Sequence, residues 1–150
     1  MKLAFGCDNC AQALKKELMA YAAELGHECV DCGAFEGEAN HYPIFSARAA
    51  KMVAEGKADR GVVICGTGVG VSLAANKIRG IRCALCGDCY TAKYTRLHND
   101  SNMLALGARV IGPELAKMIL EIFLTTGFEG GRHQTRVDMI SALERGEEIE

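Results

Sequence analysis

Short apolar runs alternate along the chain with longer stretches in which apolar positions recur at helical spacing. Five runs read as strands: residues 2–7, 27–32, 60–65, 80–85, and one beginning at 102 that continues past a kink at Gly107 to Ile111. Between them, Leu14, Leu18, Tyr21, Ala22 and Leu25 make the apolar stripe of a first helix, capped by Asp8 or Asn9 and stopped at Gly26. A polar loop over 33–43 leads to a second helix carrying Phe45, Ala49, Met52 and Val53 and ending at Gly56. A small-residue helix over 72–78 follows, in which Ala74 and Ala75 allow close packing, and then a helix capped by Asp88 that runs to about Leu97. Gly112-Pro113 opens a fifth helix with a buried stripe of Leu115, Met118, Ile119, Ile122 and Phe123. Strands that alternate with helices in this way specify a three-layer, doubly wound, five-stranded parallel sheet of Rossmann-like α/β class, read as one domain over residues 1–150. A last helix after Gly130-Gly131 offers only Val137, Ile140 and Leu143 as apolar positions, so it must dock on its own domain or on a second subunit.

The third strand carries the most pointed chemistry. Gly61-Val62-Val63-Ile64 is apolar throughout, and Cys65-Gly66-Thr67-Gly68-Val69-Gly70 turns the backbone into a helix from about Val71. Free N–H groups at such a turn favour negative charge: a bound anion, a developing oxyanion, or Cys65 held partly as thiolate. Nucleotide binding fits poorly, because no lysine follows the last glycine and the G-x-G-x-G spacing on a third strand is not the dinucleotide fingerprint. A glycine turn beside a structural cysteine and a catalytic base flanked by amide donors both remain open at this point. Ligands of such sheets bind beyond the strand carboxyl ends, which places Asp8, Cys65 and the amides of residues 66–70 along one edge.

Composition narrows the classes. A net charge of −2 and a pI near 6.1 argue against a nucleic-acid partner. No window approaches the roughly 18 unbroken apolar residues of a membrane span, and Met1 runs directly into the first strand, so a cytoplasmic protein is expected. The eight cysteines include four C-x-x-C spacings, at Cys7/Cys10, Cys29/Cys32, Cys83/Cys86 and Cys86/Cys89. Residues three apart on a strand point to opposite faces, so Cys29/Cys32 and Cys83/Cys86 cannot easily close on one ion. Cys7, Cys10, Cys86 and Cys89 are harder to dismiss if the first and fourth strands are neighbours, yet a core of this size needs no metal staple.

Two further clusters stand out. Arg132, His133 and Arg136 follow a glycine pair, and the two arginines share a helix face where a phosphate between them would relieve their repulsion; Arg109 could join them, and a solvated tail is the plainer reading. His98-Asn99-Asp100 follows the fourth helix directly, with His98 as a cap on its last carbonyls or as a proton donor beside Asn99, which would hold a substrate hydroxyl.

Together these blocks resemble ribose-5-phosphate isomerase of the B type, within the group that includes the galactose-6-phosphate isomerase subunits. The likeness runs from Leu3 to about Ala142 and rests on Cys65-Gly66-Thr67-Gly68-Val69-Gly70, Ala74-Ala75-Asn76-Lys77, His98-Asn99-Asp100, Gly107-Ala108-Arg109-Val110 and Gly130-Gly131-Arg132-His133-Gln134-Thr135-Arg136. It implies a cofactor-free and metal-free aldose–ketose isomerase acting on a phosphorylated sugar through an enediolate. By that likeness Cys65 is the base, and Thr67 with His98 assists ring opening. The amides of Gly66, Gly68, Val69 and Gly70, with Asn99, would steady the enediolate oxygens. Arg109, Arg132 and Arg136 would hold the phosphate with His133 nearby, and Asp8, Asn9 and Tyr42 would complete the substrate site. The resemblance also implies a homodimer with sites shared between chains, and dimers that can pair into a tetramer. A six-carbon phosphosugar, or a non-catalytic phosphosugar- or metal-binding role, are the alternatives. The family usually has Asp-His-Gly-Gly after the first strand, whereas this chain has Asp8-Asn9-Cys10-Ala11; Asn9 can donate a hydrogen bond but cannot carry a proton. His41, before Tyr42, replaces an acidic residue and can return a cation to the site.

Overall fold

The computed structural model describes residues 1–38 and 41–150. Its five strands are β1 (Lys2–Cys7), β2 (Glu28–Asp31), β3 (Arg60–Cys65), β4 (Cys83–Leu85) and β5 (Met103–Gly107), all parallel, in the order β2-β1-β3-β5-β4. The helices are α1 (Gln12–Glu24), α2 (Tyr42–Ala54), α3 (Val69–Ala75), α4 (Cys89–Asn99), α5 (Pro113–Thr125) and α6 (Arg132–Glu144). The α/β class and the tail helix agree with the sequence pattern. Of the loop expected over 33–43, Ala39 and Asn40 lie outside the described residues, and α2 already begins at Tyr42 with Pro43 in its first turn.

Side chains on the central strands alternate between faces, and size alternates with them. Leu3, Phe5, Cys7, Val62, Ile64, Leu104 and Leu106 face α1, α4 and α5, whereas Ala4, Val63, Cys65, Met103 and Ala105 face α2 and α3. The small face lets α2 approach closely. A methyl added at Gly6 would stand 2.5 Å from the Phe45 carbonyl oxygen.

Some boundaries and faces depart from the sequence reading. β5 stops at Gly107: the Ala108 N–H gives the last ladder bond, to Cys65, and the Val110 and Ile111 N–H groups then fold back onto the Gly107 carbonyl in a turn. Arg109 therefore stands in a turn and not on a strand. α3 begins at Val69, ahead of the expected start at residue 71 or 72, and ends at Ala75. On α5 the buried stripe is Ala116, Ile119, Leu120, Phe123 and Leu124, with Met118 more than half exposed, because the helix packs against α1 and α4 as well as the sheet. Leu25, Ile140 and Leu143 are exposed.

The cysteine spacings sort by face. Cys29 and Cys86 join the cluster under α1, α4 and α5, while Cys32 and Cys83 join the cluster under α2 and α3. β1 and β4 are not neighbours: β3 and β5 lie between them, because β5 inserts beside β3 and leaves β4 at the edge. The premise that brought Cys7, Cys10, Cys86 and Cys89 together therefore fails.

Two contacts hold the carboxyl edge of the sheet in shape. Lys15 is buried on α1 and donates to Asp31 Oδ1 at 2.5 Å and to the Ala34 carbonyl at 3.3 Å, while Ala34 and Gly33 pair with the backbone of Cys7. In the turn after β3, Gly68 has φ +80°, and a Cβ there would lie 2.8 Å from the Leu106 carbonyl carbon and 2.4 Å from Leu85 Cδ1. Asp31→Asn leaves the Lys15 ammonium buried without its counter-charge and is expected to cost about 3 kcal/mol in urea unfolding, most of it recovered when Lys15→Met is added. Gly68→Ala is expected to cost about 2 kcal/mol through overlap with the β5 backbone and lower Tm by roughly 6 °C. Gly87→Ala, where an added methyl meets nothing within 4 Å, leaves Tm unchanged.

Candidate functional site

The strand order reverses between β1 and β3, so the crevice beyond their carboxyl ends is the expected ligand position for this sheet. Asp8 and Cys65 stand there side by side, for the Asp8 N–H donates to the Ile64 carbonyl. The Asp8 carboxylate accepts from Cys10 N at 3.0 Å and caps a short 3₁₀ turn over Asn9–Ala11 that leads into α1, so the capping role expected of Asp8 is its observed one. Asn9 is exposed on that turn.

Cys65 ends β3 with its side chain 5% exposed, toward the α2/α3 face. The Gly68 N–H donates to its sulfur at 3.1 Å, made possible by the left-handed backbone of Gly68. Thr67 is exposed, and its Oγ1 accepts from Val69 N at 3.3 Å, which folds the turn tightly at the start of α3. A methyl at Gly70 would meet the Tyr42 ring at 2.6 Å, so the tyrosine lies over the turn from the start of α2, with exposed His41 capping that helix just before it. The exposed Arg109 completes this edge: its N–H donates to the Gly66 carbonyl at 2.9 Å, and its side chain passes beside Gly66.

Cys10 is a neighbour that the sequence reading weighed only as part of a C-x-x-C pair. Its exposed thiol lies 3.7 Å from the position of a Gly66 Cβ. Desolvation, then the Asp8 carboxylate, pushes that thiol up to about 11, with Arg109 opposing.

The remaining candidates gather elsewhere. α4 returns antiparallel to the strands over 11 residues, a rise of about 16 Å, from the carboxyl end of β4 to the amino end of β5. His98 and Asn99 thereby lie at the opposite edge of the sheet from Cys65. Arg96 secures that end of α4, donating to the Ser101 carbonyl at 2.6 Å, Asp100 Oδ1 at 2.8 Å and the Thr126 carbonyl at 3.3 Å. The His98 ring stacks on His133, with centroids 4.0 Å apart and planes 7° from parallel, and meets Tyr94 edge-on. Glu129 enters from the loop before α6, its N–H donating to the Leu97 carbonyl, and its Oε2 lies 3.3 Å from His133 Nε2 and 3.8 Å from His98 Nε2. Arg132 and Arg136, both exposed on the first turns of α6, act electrostatically on His133. Desolvation, then the charges of His98 and Arg132, holds His133 below the usual imidazole range.

The structure thus divides the candidates into two half-sites. Asp8, Asn9, Tyr42, Cys65, the turn of residues 66–70 and Arg109 occupy the carboxyl edge; His98, Asn99, Arg132, His133 and Arg136 occupy the other. The expectation that Arg109 joins the two tail arginines does not hold within one chain, because β5 and α6 deliver them to opposite edges. Beside the second half-site, a groove of about 360 Å³ between β4 and α4 is lined by Leu85, Tyr90, Tyr94, His98 and Asn99, among others. Exposed Val69, Leu73, Leu85 and Tyr90 lie around β4, the edge strand. Glu129 escaped the sequence reading altogether; its only signal was a carboxylate four residues before His133, across two glycines.

Among the described residues, no helix is long and apolar enough to cross a membrane, and the one tight group of three or more potential metal ligands is His98, Glu129 and His133. Cys65 and the other cysteines take no part in it.

The family model described as Ribose/Galactose Isomerase matches residues 3–140. Ribose-5-phosphate isomerase B of Escherichia coli (strain K12) is 49% identical, covering 96% of this chain and 97% of that protein. D-erythrulose-4-phosphate isomerase of Pectobacterium atrosepticum is 40% identical, covering 98% and 97%. The structure of Clostridium thermocellum ribose-5-phosphate isomerase B superposes with a TM-score of 0.95 at 45% identity, over 97% of this chain and 99% of that one. Near-complete coverage in all three, on the same five-stranded sheet, places the chain in the ribose/galactose isomerase family.

Proposed function

We propose that the protein interconverts ribose 5-phosphate and ribulose 5-phosphate, with Cys65 as the base and each site assembled from two copies of the chain. The observation that carries this reading is the Gly68 N–H aimed at the Cys65 sulfur within a turn rich in further amides, at the switch point of the sheet. A main-chain donor directed at a thiol steadies negative charge there, and neighbouring donors can do the same for a sugar oxygen.

The chemistry follows from these groups. Ring opening delivers the aldehyde, with His98 protonating the ring oxygen and Thr67 beside C1. Cys65, as thiolate, removes the C2 proton, and the electron pair left at C2 forms the C1–C2 double bond as charge moves onto O1. The turn amides and Asn99 hold that enediolate. The O2 proton passes to O1, O2 becomes the carbonyl as the C1–C2 double bond collapses, and C1 takes back the proton held on sulfur, which gives the ketose and leaves Cys65 as the thiolate it began. Arg109 from one copy and Arg132 and Arg136 from the other grip the phosphate, whose binding energy positions C2 over the sulfur. His133 lies behind them, Asp8 and Asn9 face the sugar hydroxyls, and Tyr42 closes over the turn.

The two-edge arrangement requires the second copy. Cys65 and His98 cannot meet within one subunit, and a symmetric pair sets the carboxyl edge of each chain against the α4–α6 end of its partner. The exposed apolar residues around β4 supply a surface for that contact. Relatives named for four-carbon and galactose phosphates make substrate length the open variable, and Asn9 is the position in this chain where sugar preference is expected to differ.

Deuterium exchange at C2 of ribose 5-phosphate in heavy water tests the reading. Exchange that persists with chelator present and falls at least about a thousandfold in Cys65→Ser supports a thiolate base; exchange that survives the substitution overturns it. Comparing kcat/KM for ribose 5-phosphate, allose 6-phosphate, galactose 6-phosphate and erythrulose 4-phosphate ranks the substrates. Mixing inactive Cys65→Ser and His98→Asn subunits is expected to restore about a quarter of the wild-type rate, since half the random dimers then hold one intact site of two. No recovery after verified subunit exchange would rule out shared sites.

A further inference from the structure

Three side chains with ligand atoms meet at the second half-site, and the isomerase reading gives one of them, Glu129, no part. One donor atom from each of His98, Glu129 and His133 lies within 4.8 Å of the other two. Two backbone bonds hold these residues in register: Glu129 N–H donates to the Leu97 carbonyl, beside His98, and His133 N–H donates to the Gly130 carbonyl, beside Glu129. His133 is 4% exposed, and its buried Nε2 finds no hydrogen-bond partner among the described residues, although the Glu129 carboxylate is its neighbour. A buried imidazole nitrogen left unpaired is costly, and a cation shared with an adjacent carboxylate satisfies it.

We propose that His98, Glu129 and His133 form a site for one divalent transition ion per chain, of the class of zinc or cobalt, bound through the two Nε2 atoms and the Glu129 carboxylate. The distances suit a tetrahedral ion. Bonds of roughly 2.0 Å at tetrahedral angles set two ligand atoms about 3.3 Å apart, and His133 Nε2 stands 3.3 Å from Glu129 Oε2. His98 Nε2, 3.8 Å from the same oxygen, has to close by about half an ångström. An imidazole lone pair lies in its ring plane, and the two planes are 7° from parallel, so an ion between them requires one ring to turn. His98 is the ring with room to do so, for its side chain is 35% exposed while His133 is enclosed. Arg132 and Arg136 act against positive charge at His133, which disfavours ions held by charge alone, such as magnesium or calcium. Two imidazoles and a carboxylate instead select an ion that takes nitrogen donors, and three protein ligands leave a fourth position for water. Each chain carries the whole ligand set, so binding does not need the shared site. A consequence rests on the reading of His98 as the acid of ring opening: an ion on its Nε2 withdraws it from that step and stops turnover of ribose 5-phosphate.

Titration of the intact protein with cobalt(II), followed by visible absorption, tests the site. The expected result is a tetrahedral d–d band that saturates at one ion per chain, in the wild type and in Cys65→Ser alike. A thiolate ligand would add an intense near-ultraviolet sulfur-to-cobalt band, and none is expected. Glu129→Gln, a change at an exposed loop position that leaves the fold intact, weakens binding at least about tenfold, and His133→Gln does the same. Zinc(II) displaces the cobalt and bleaches the band. Equal affinity in Glu129→Gln overturns the proposal, as does a sulfur-to-cobalt band or the lack of any saturable binding. Turnover of ribose 5-phosphate, taken relative to each variant's own ion-free rate, separates the site from the reading of His98. At saturating cobalt it falls at least about tenfold in the wild type and less than about twofold in Glu129→Gln at the same concentration. Saturation of the site without inhibition supports the metal site and removes His98 from ring opening.

Discussion

The constraint on which this molecule depends is that all five strands run the same way. A parallel sheet requires each connecting helix to carry the chain back to the starting edge. Everything that follows a strand directly, including Asp8, the turn after Cys65 and Arg109, is therefore delivered to one edge, and everything that ends a returning helix is delivered to the other. His98 falls in the second class because it ends α4, and Arg132 falls there because α5 has just brought the chain back. An active site that uses both classes cannot be closed by one such chain. On the proposed reading, which draws on both classes, the second copy of the chain answers to this topology.

Each half-site is built with a different physical device. At the carboxyl edge the donors are main-chain amides held by glycines, whose small size lets β5 and Tyr42 pack against the turn. Such donors are rigid, neutral and insensitive to pH. At the other edge the groups are side chains that carry or exchange charge: two imidazoles, two guanidinium groups and one carboxylate. The proposed reaction, which moves a proton between carbons while anchoring a dianion, draws on both, and within one chain the fold keeps them apart.

Much of this was legible in the sequence, for identifiable reasons. Strands buried on both faces announce themselves as apolar runs, and Asp88, Pro113 and Gly26 mark helix ends through local chemistry alone. The turn after β3 was legible because glycine spacing reports backbone geometry directly. What was not legible depends on contacts distant in the chain. β5 ends at Gly107 because its partner β3 ends at Cys65, some forty residues earlier, where the glycine turn begins. The neighbours of β4 are set by where β5 inserts, which no local pattern encodes. Glu129 stayed hidden because a carboxylate in a glycine-rich loop looks like any solvated charge until α4 and α6 are seen to converge on it.

The sorting of thiols onto the two sides of the sheet has a wider meaning. With Cys29 turned one way and Cys32 the other, and Cys83 likewise opposed to Cys86, the backbone ladder acts as a partition that sulfur chemistry does not cross. A chain can thus be rich in cysteine, even at the spacing that zinc proteins use, and still keep those thiols as isolated apolar fillers. Counting cysteines along a sequence overstates their capacity to cooperate wherever they fall on strands, because an odd interval there amounts to insulation.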